Sequence, residues 1–396
     1  MPPEAQAEGL EYPKSSTRVT ETCLSLFRRE RLDALHIVEW MPVGMALWDA
    51  ALRWGGPTAF TPTEYGAICQ YGFLLNNCGT SCAGPENGTK CSQCTHSLEP
   101  YPPPRSFFEP WYSKRHRLFH GATQILPDPI RRRALWVLSE RFQAGHVAIS
   151  ATEGSARLAA ARRFLTTVGT VAYQSPQQHR VFERTTGVKL CAPLPLVMPL
   201  SLENALEKNL TSTHPVVFLF AARPNFDRGL WLLLDAWKRW KPTKAAARLL
   251  LHTHDDGSRI ARSVRELQDQ GCDVRLAFGP LDEQSLREIH RSVHFVVNPA
   301  VWEEPGSSTV IEGLFFGTPA IVPSQTGSAD FVKPGANGYH YQFRDVDDLL
   351  EKLRTAVEEV GGWRHLHEGA LQSARHYRRL SDLHVEMLYE RLFNRH

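Results

Sequence analysis

From residue 215 onward the apolar positions switch repeatedly between two spacings. The short runs VVFLFA, ARLLLHT, VRLAFG, FVVNP and AIVP read as strands, and LWLLLDAWKRW, RIARSVRELQDQG and LREIHRS between them carry apolar residues at helical spacing. Strict alternation of this kind predicts parallel strands joined by crossover helices, a doubly wound α/β domain over residues 206–375. Ligands bind such a domain beyond the carboxyl ends of its strands. Arg223, the turn at Ser307 and Gly327 all fall there.

The first half is less regular. LHIVEW, TAFT, HVAIS, TVAYQ and CAPLPLV read as short strands with helices such as SARLAAARRFL between them, which makes residues 35–205 a second, looser α/β domain after a polar and helical segment at 1–34. The polar stretch 201–214 is the expected linker. A cleft between the two domains is the expected ligand site. Periodic Leu, Tyr and Met positions after Gly362 predict a closing helix.

At 396 residues and 42% hydrophobic content the chain suits two globular domains. A net charge of +3 without a long Lys/Arg tract argues against nucleic acid. No apolar run is long enough to span a bilayer, and the first 16 residues lack the apolar centre of a signal peptide, so the expected location is the cytoplasm.

The densest chemistry lies in WEEPGSSTVIEGLFFGTP, residues 302–319, where Glu304 and Glu312 are separated by seven residues. Pro305, Gly306, Ser307 and Ser308 are turn and cap types, and Thr309 opens an apolar run, so a helix is expected to start near Ser307. Its first N–H groups lack intrahelical acceptors and carry partial positive charge, which suits a phosphate. Two carboxylates flank that seat, placed to accept hydrogen bonds from sugar hydroxyls on either side of a diphosphate. A nucleotide sugar is the implied ligand. Arg223 and Arg228, in the turn ARPNFDRG after VVFLFA, would bring positive charge to the pyrophosphate without a metal. Asp345, Asp347 and Asp348 precede LLEKL and read as a helix cap and first turn rather than as metal ligands.

These residues resemble a known family. The Glu304 to Glu312 segment is similar to the Glu, seven residues, Glu motif of retaining GT-B glycosyltransferases of family 4, the glycosyl transferases group 1, in which the first glutamate contacts the donor sugar and the second the ribose. ARPNFDRG resembles the family's phosphate-binding loop, with Ala222 in place of glycine and Arg228 in place of lysine, and TGSADF at 326–331 resembles its glycine-rich loop. The resemblance implies a GT-B fold: two Rossmann-like, doubly wound domains facing a cleft, with the last helical residues, 376–396, packing back toward the junction. It also implies metal-independent transfer with retention, by same-face attack in which the departing phosphate takes the acceptor's proton.

The chain departs from that pattern in three places. Only about 35 residues precede LHIVEW, so the first domain is expected to lack its opening strand, loop and helix. Thr63 stands where the family commonly has a histidine against the donor sugar, and Thr cannot serve as a general base near neutral pH. Glu64 or Glu39 could compensate, or either could be a solvated loop carboxylate. GSST replaces a bulky residue and glycine, adding hydroxyls at the phosphate seat.

Five of eight cysteines fall within 26 residues, Cys69, Cys78, Cys82, Cys91 and Cys94, with a Cys-x-x-Cys pair at the end. In a cytoplasmic protein this density favours metal over disulfides, and Cys69, Cys82, Cys91 and Cys94, which match cysteines of several family members, are the expected ligands of a structural zinc in the loop 69–94; free thiols or a redox pair are the alternatives. Residues 105–141 carry eight Lys/Arg against three Asp/Glu with Phe107, Phe108, Trp111 and Tyr112 interleaved. This surface would dock peripherally on an anionic inner-membrane face where a lipid-linked acceptor resides, or it is a solvated face with aromatics packed inward. The leading functional expectation is glycosyl transfer from a nucleotide sugar to a glycan or lipid-linked acceptor. A non-catalytic nucleotide-sugar-binding scaffold and a GT-B epimerase are the other classes.

Overall fold

The structure is a computed structural model that describes residues 16–38, 44–69, 72–75, 81–86, 88–94, 151–189, 194–195, 208, 210, 215–224, 226–253, 258–279 and 281–393. The expected strand HVAIS, the basic aromatic stretch 105–141, Glu39, Cys78 and most of the linker lie outside the described residues.

The first unit opens with α1 (Thr17–Arg29), capped by the Ser16 side chain. Four parallel strands follow, β1 (Leu35–Ile37), β2 (Thr58–Phe60), β3 (Thr170–Tyr173) and β4 (Leu194–Pro195), lying side by side in chain order. Between them run α2 (Met45–Trp54), α3 (Thr89–Gln93), α4 (Ala151–Thr167) and α5 (Pro176–Thr186). Alternation along the strands gives the sheet two faces. Phe60, Val171 and Tyr173 point into a core with Trp48 and Phe164, whose rings stack at 4.8 Å. Ala59 and Ala172 face the other way, where small side chains let a helix approach closely.

The second unit is a six-stranded parallel sheet in the order β10-β9-β8-β5-β6-β7. Its elements in sequence are β5 (Val216–Ala221), α6 (Leu230–Trp240), β6 (Ala247–Thr253), α7 (Ser258–Asp269), β7 (Asp273–Phe278), α8 (Glu283–Arg291), β8 (Phe295–Val297), α9 (Ser308–Phe315), β9 (Ala320–Pro323), β10 (Gly338–Tyr341) and α10 (Val346–Glu358). The order reverses at β5, which has β6 on one side and β8 on the other. This strand is central, wholly apolar and almost wholly buried. Val216, Phe218 and Phe220 pack one layer with Trp237, and Val217 and Leu219 pack the opposite one with Val296, Val310 and Val322. The expected cap of α10 is present: the Asp345 carboxylate accepts from the Asp347 and Asp348 N–H groups at 2.9 and 3.0 Å.

The chain closes with α11 (Trp363–Phe393), a single 31-residue helix. It begins in the second unit, where Trp363 Nε1 donates to the His294 carbonyl. Its far end returns to the first sheet, and Leu388 and Leu392 bury the face presented by Ala59 and Ala172. Among the described residues no helix is long and apolar enough to cross a membrane.

Candidate active site

The site forms where the second sheet reverses, beyond the carboxyl ends of β5, β8 and β9. Three loops meet there. The first follows β5 and carries Arg223 and Arg228. Gly229 ends it at φ +68°, and a Cβ there would lie 1.7 Å from the Pro299 carbonyl oxygen, so only glycine lets the loop pass this close. The second leads from β8 to α9, and the third, residues 326–331, follows β9. Gly327 is equally tight: a Cβ would sit 1.8 Å from the Pro305 carbonyl oxygen, and its N–H donates to the Glu304 carbonyl at 2.7 Å.

Glu304 lies between these loops with no solvent exposure. Its Oε1 accepts from Asn298 Nδ2 and from Ser328 Oγ. Ser328 Oγ in turn accepts from Asn298 Nδ2 at 3.1 Å and from the Ser307 N–H at 3.0 Å. The other oxygen, Oε2, is buried without a hydrogen bond, and Arg228 Nη1 stands 3.8 Å away. Burial raises the Glu304 pKa above its ordinary value, opposed by the Ser328 and Asn298 hydrogen bonds and the Arg228 charge.

Glu312, a turn and a half into α9, is half-buried and accepts no hydrogen bond from the described residues. Burial raises its pKa also. Such a carboxylate is an open acceptor for hydroxyls. The helix itself starts at Ser308, and the Ser307 side chain makes no capping bond, so the first-turn N–H groups keep their capacity for an anion. The Thr309 hydroxyl is already used, donating to the Ala221 carbonyl at 2.8 Å and tying α9 to the end of β5. Gly306 is half-buried against Phe331, and Ser308 is exposed.

The two arginines have different situations. Arg223 is exposed and makes no ion pair among the described residues. Arg228 leans on Asp227 Oδ2 at 3.2 Å as well as on Glu304. Asp227 is buried, which raises its pKa, and Arg228 pulls it back. A phosphate here would meet Arg223 directly and share Arg228 with two carboxylates.

From the first unit, Thr63 and Glu64 come after β2 on the loop that brings Tyr65 to the second unit. Thr63 is half-buried. Glu64 lies in its own loop, with Oε2 only 2.3 Å from where a Cβ on Gly72 would stand. The buried Tyr65 hydroxyl donates to the Glu303 carbonyl at 2.7 Å, and Trp302 sits edge-on between Tyr65 and Phe73. The loop after β2 is thereby set beside the Glu303 to Glu304 turn. Sequence reasoning missed Asn298, Ser328, Glu303 and Asp330. Asn298 was visible as a polar residue ending an apolar strand, and Ser328 lay in a loop already noted, but nothing in the chain announced their shared partner.

The four-cysteine zinc site is not supported. Among the described residues no group of three or more His, Cys, Asp and Glu is placed to hold a metal ion. Cys69, Cys82, Cys91 and Cys94 are unbridged thiols, and burial first, then the neighbouring cysteines, push Cys91 up to about 11 and Cys94 up to about 12. Cys82 Sγ is turned onto the Gly84 N–H at 3.4 Å. At the end of this segment α3 lies so close to α4 that a Cβ on Gly88 would be 1.9 Å from the Ala151 carbonyl oxygen.

Two parallel α/β units, the second with a reversal point beside an uncapped helix, have the architecture of GT-B proteins. Residues 203–368, the second unit and the start of the closing helix, match the family model of glycosyl transferases group 1. The chain is 22% identical over 151 residues to the lipopolysaccharide 1,2-N-acetylglucosaminetransferase of Salmonella typhimurium, a match covering 36% of this chain and 39% of that protein, or about two fifths of the relative's length. Among solved structures it is similar to sucrose-phosphate synthase from Thermosynechococcus elongatus, with a TM-score of 0.62, 16% identity and coverage of 95% of this chain and 77% of that one. It is also similar to the Anabaena protein HepE in complex with UDP, at 0.56, 12%, 94% and 82%, and to the lipopolysaccharide outer core galactosyltransferase WaaB, at 0.57, 13%, 95% and 79%. These likenesses establish the fold.

Proposed function

We propose that the protein is a retaining, metal-independent glycosyltransferase of family 4 that moves a sugar from a nucleoside diphosphate to a glycan or lipid-linked acceptor. The observation that carries this reading is the open first turn of α9 between Arg223, Glu312 and Glu304. The diphosphate sits on the helix end and Arg223, the ribose hydroxyls on Glu312, and the sugar toward Glu304. In the reaction the bond from the anomeric carbon to the phosphate oxygen breaks while the acceptor oxygen attacks the same face. Charge growing on the phosphate is met by the helix N–H groups, Arg223 and Arg228, and the phosphate takes the acceptor's proton. Fixed cations supply there what a metal would otherwise supply. The complex of HepE with UDP supports a nucleotide ligand, and the lipopolysaccharide enzymes among the relatives support a glycan acceptor. The basic aromatic stretch 105–141 supports an acceptor held at an anionic membrane face on the cytoplasmic side.

A second reading is a nucleotide-sugar-binding protein without turnover, favoured by Thr63 in place of a histidine and by Glu64 folded onto Gly72. A thermal-shift screen of nucleoside diphosphates and their sugars tests the shared premise, because a ligand that binds only the native state raises its stability. At least one should raise the melting temperature, and the Glu304→Ala variant should lose slow donor hydrolysis. A flat screen would refute both readings; binding with no donor consumed would leave the second.

A further inference from the structure

We propose that Glu303 is a positioning residue that fixes Glu304 to the first unit through α5, so the donor carboxylate is set only when the two units are in register. This rests on the nucleotide-sugar reading for its meaning, and on the contacts of α5 for its geometry. The Glu303 carboxylate accepts from Gln177 Nε2 at 3.1 Å and pairs with Arg184 Nη2 at 3.3 Å, while its carbonyl accepts from the Tyr65 hydroxyl at 2.7 Å. All three partners belong to the first unit. Its side chain is only 10% exposed, while that of Arg184 is half-exposed.

The same helix is held a second time. Asp330 Oδ2 accepts from the Gln177 N–H at 2.7 Å, and Oδ1 pairs with Arg180 Nη2 at 3.3 Å. The first turn of α5 carries no acidic residue of its own, so Asp330 supplies the negative charge its dipole favours. Glu303 and Asp330 flank the two ends of one buried hydrogen bond, from Ser328 Oγ to Glu304 Oε1. One precedes Glu304 by a residue and the other follows Ser328 by two. Turning α5 away would therefore pull on both ends together. Gly327, between them, approaches Ser175 at the start of the same helix, where a Cβ would be 2.4 Å from the Ser175 oxygen.

Hydrogen exchange on the full chain without ligand reads this coupling. The reporters are the amides of Ser307, bound to Ser328 Oγ, and of Gly327, bound to the Glu304 carbonyl. Arg184→Ala, at a half-exposed side chain, should speed both by about fivefold, equivalent to ~1 kcal/mol. The Ser285 amide, capped by Asp282 within α8, should not change. Arg184→Lys should restore slow exchange, and Glu303→Gln should reproduce the alanine effect. Unchanged exchange at Ser307 and Gly327 in both Arg184→Ala and Glu303→Gln would overturn the proposal. With UDP and UDP-glucose as probes, Arg184→Ala should lower the turnover of UDP-glucose while leaving UDP affinity within twofold; an equal loss of both would also overturn it. If the wild type takes no nucleotide, the function reading fails and the exchange experiment still decides this one.

Discussion

Replacing Glu304 by glutamine should make the protein more stable near neutral pH and less able to use a donor. The carboxylate is wholly buried, one oxygen has no hydrogen bond, and its nearest cation is 3.8 Å away. At an effective dielectric of about 20 that attraction is roughly 4 kcal/mol before discounts. Arg228 is 37% exposed and shared with Asp227, so solvent screens much of it. Removing a carboxylate from water costs several kcal/mol, and the raised pKa of Glu304 says that this term wins. Glutamine keeps an oxygen for Ser328 and Asn298 and brings no charge. A gain of about 1 kcal/mol at pH 7.5 is expected, the usual size for relieving a constrained functional position, or roughly 2–4 °C. The pH dependence has a definite sign. Because the folded pKa lies above the unfolded one, the folded protein holds the proton more tightly. Wild-type stability is then full below the ordinary value of 4.5 and falls as pH rises through the folded pKa. The advantage of Glu304→Gln should be absent at pH 4.5 and grow toward pH 7.5. Thermal unfolding of both proteins at several pH values measures it. A variant less stable than wild type at pH 7.5, or an advantage independent of pH, would refute the reasoning.

Other perturbations separate binding from folding. Arg223→Ala should leave stability within about 0.5 kcal/mol, since the side chain is exposed without an ion pair among the described residues, yet weaken UDP binding about tenfold by calorimetry. Gly327→Ala should destabilise by more than ~2 kcal/mol in urea unfolding, because the new Cβ meets the Pro305 carbonyl rather than a movable side chain. Leu388→Ala should cost about 2–4 kcal/mol in the transition of the first unit, since this side chain seals the face of Ala59 and Ala172.

Much of the second unit was legible in the chain. The runs LWLLLDAWKRW and ARLLLHT coincide with α6 and β6 residue for residue; the helix is bounded by Gly229 and by Pro242 shortly after its end, and the strand is a compact apolar run. The Asp345 cap was equally local. The first unit was harder. Its strands are two to four residues long, too short for a period to declare itself, and the face of Ala59 and Ala172 depends on a helix more than 200 residues away. The cysteine cluster is a related case: density in sequence suggested a metal, whereas no group among the described residues is placed to hold one.

The sequence alone determined the five parallel strands from 216 to 323, the helix opening beside Ser307 and the pairing of Glu304 with Glu312, since these follow from local periodicity and cap chemistry; the edge strand β10 was not read from it. Tertiary structure decided what those carboxylates are. Glu304 became a buried group held by Asn298 and Ser328, and Glu312 stayed an open acceptor, although both are glutamates in one short segment. The difference arises from loops that converge only after the sheet has formed, because burial and hydrogen-bond partners are properties of the packed chain and not of spacing along it.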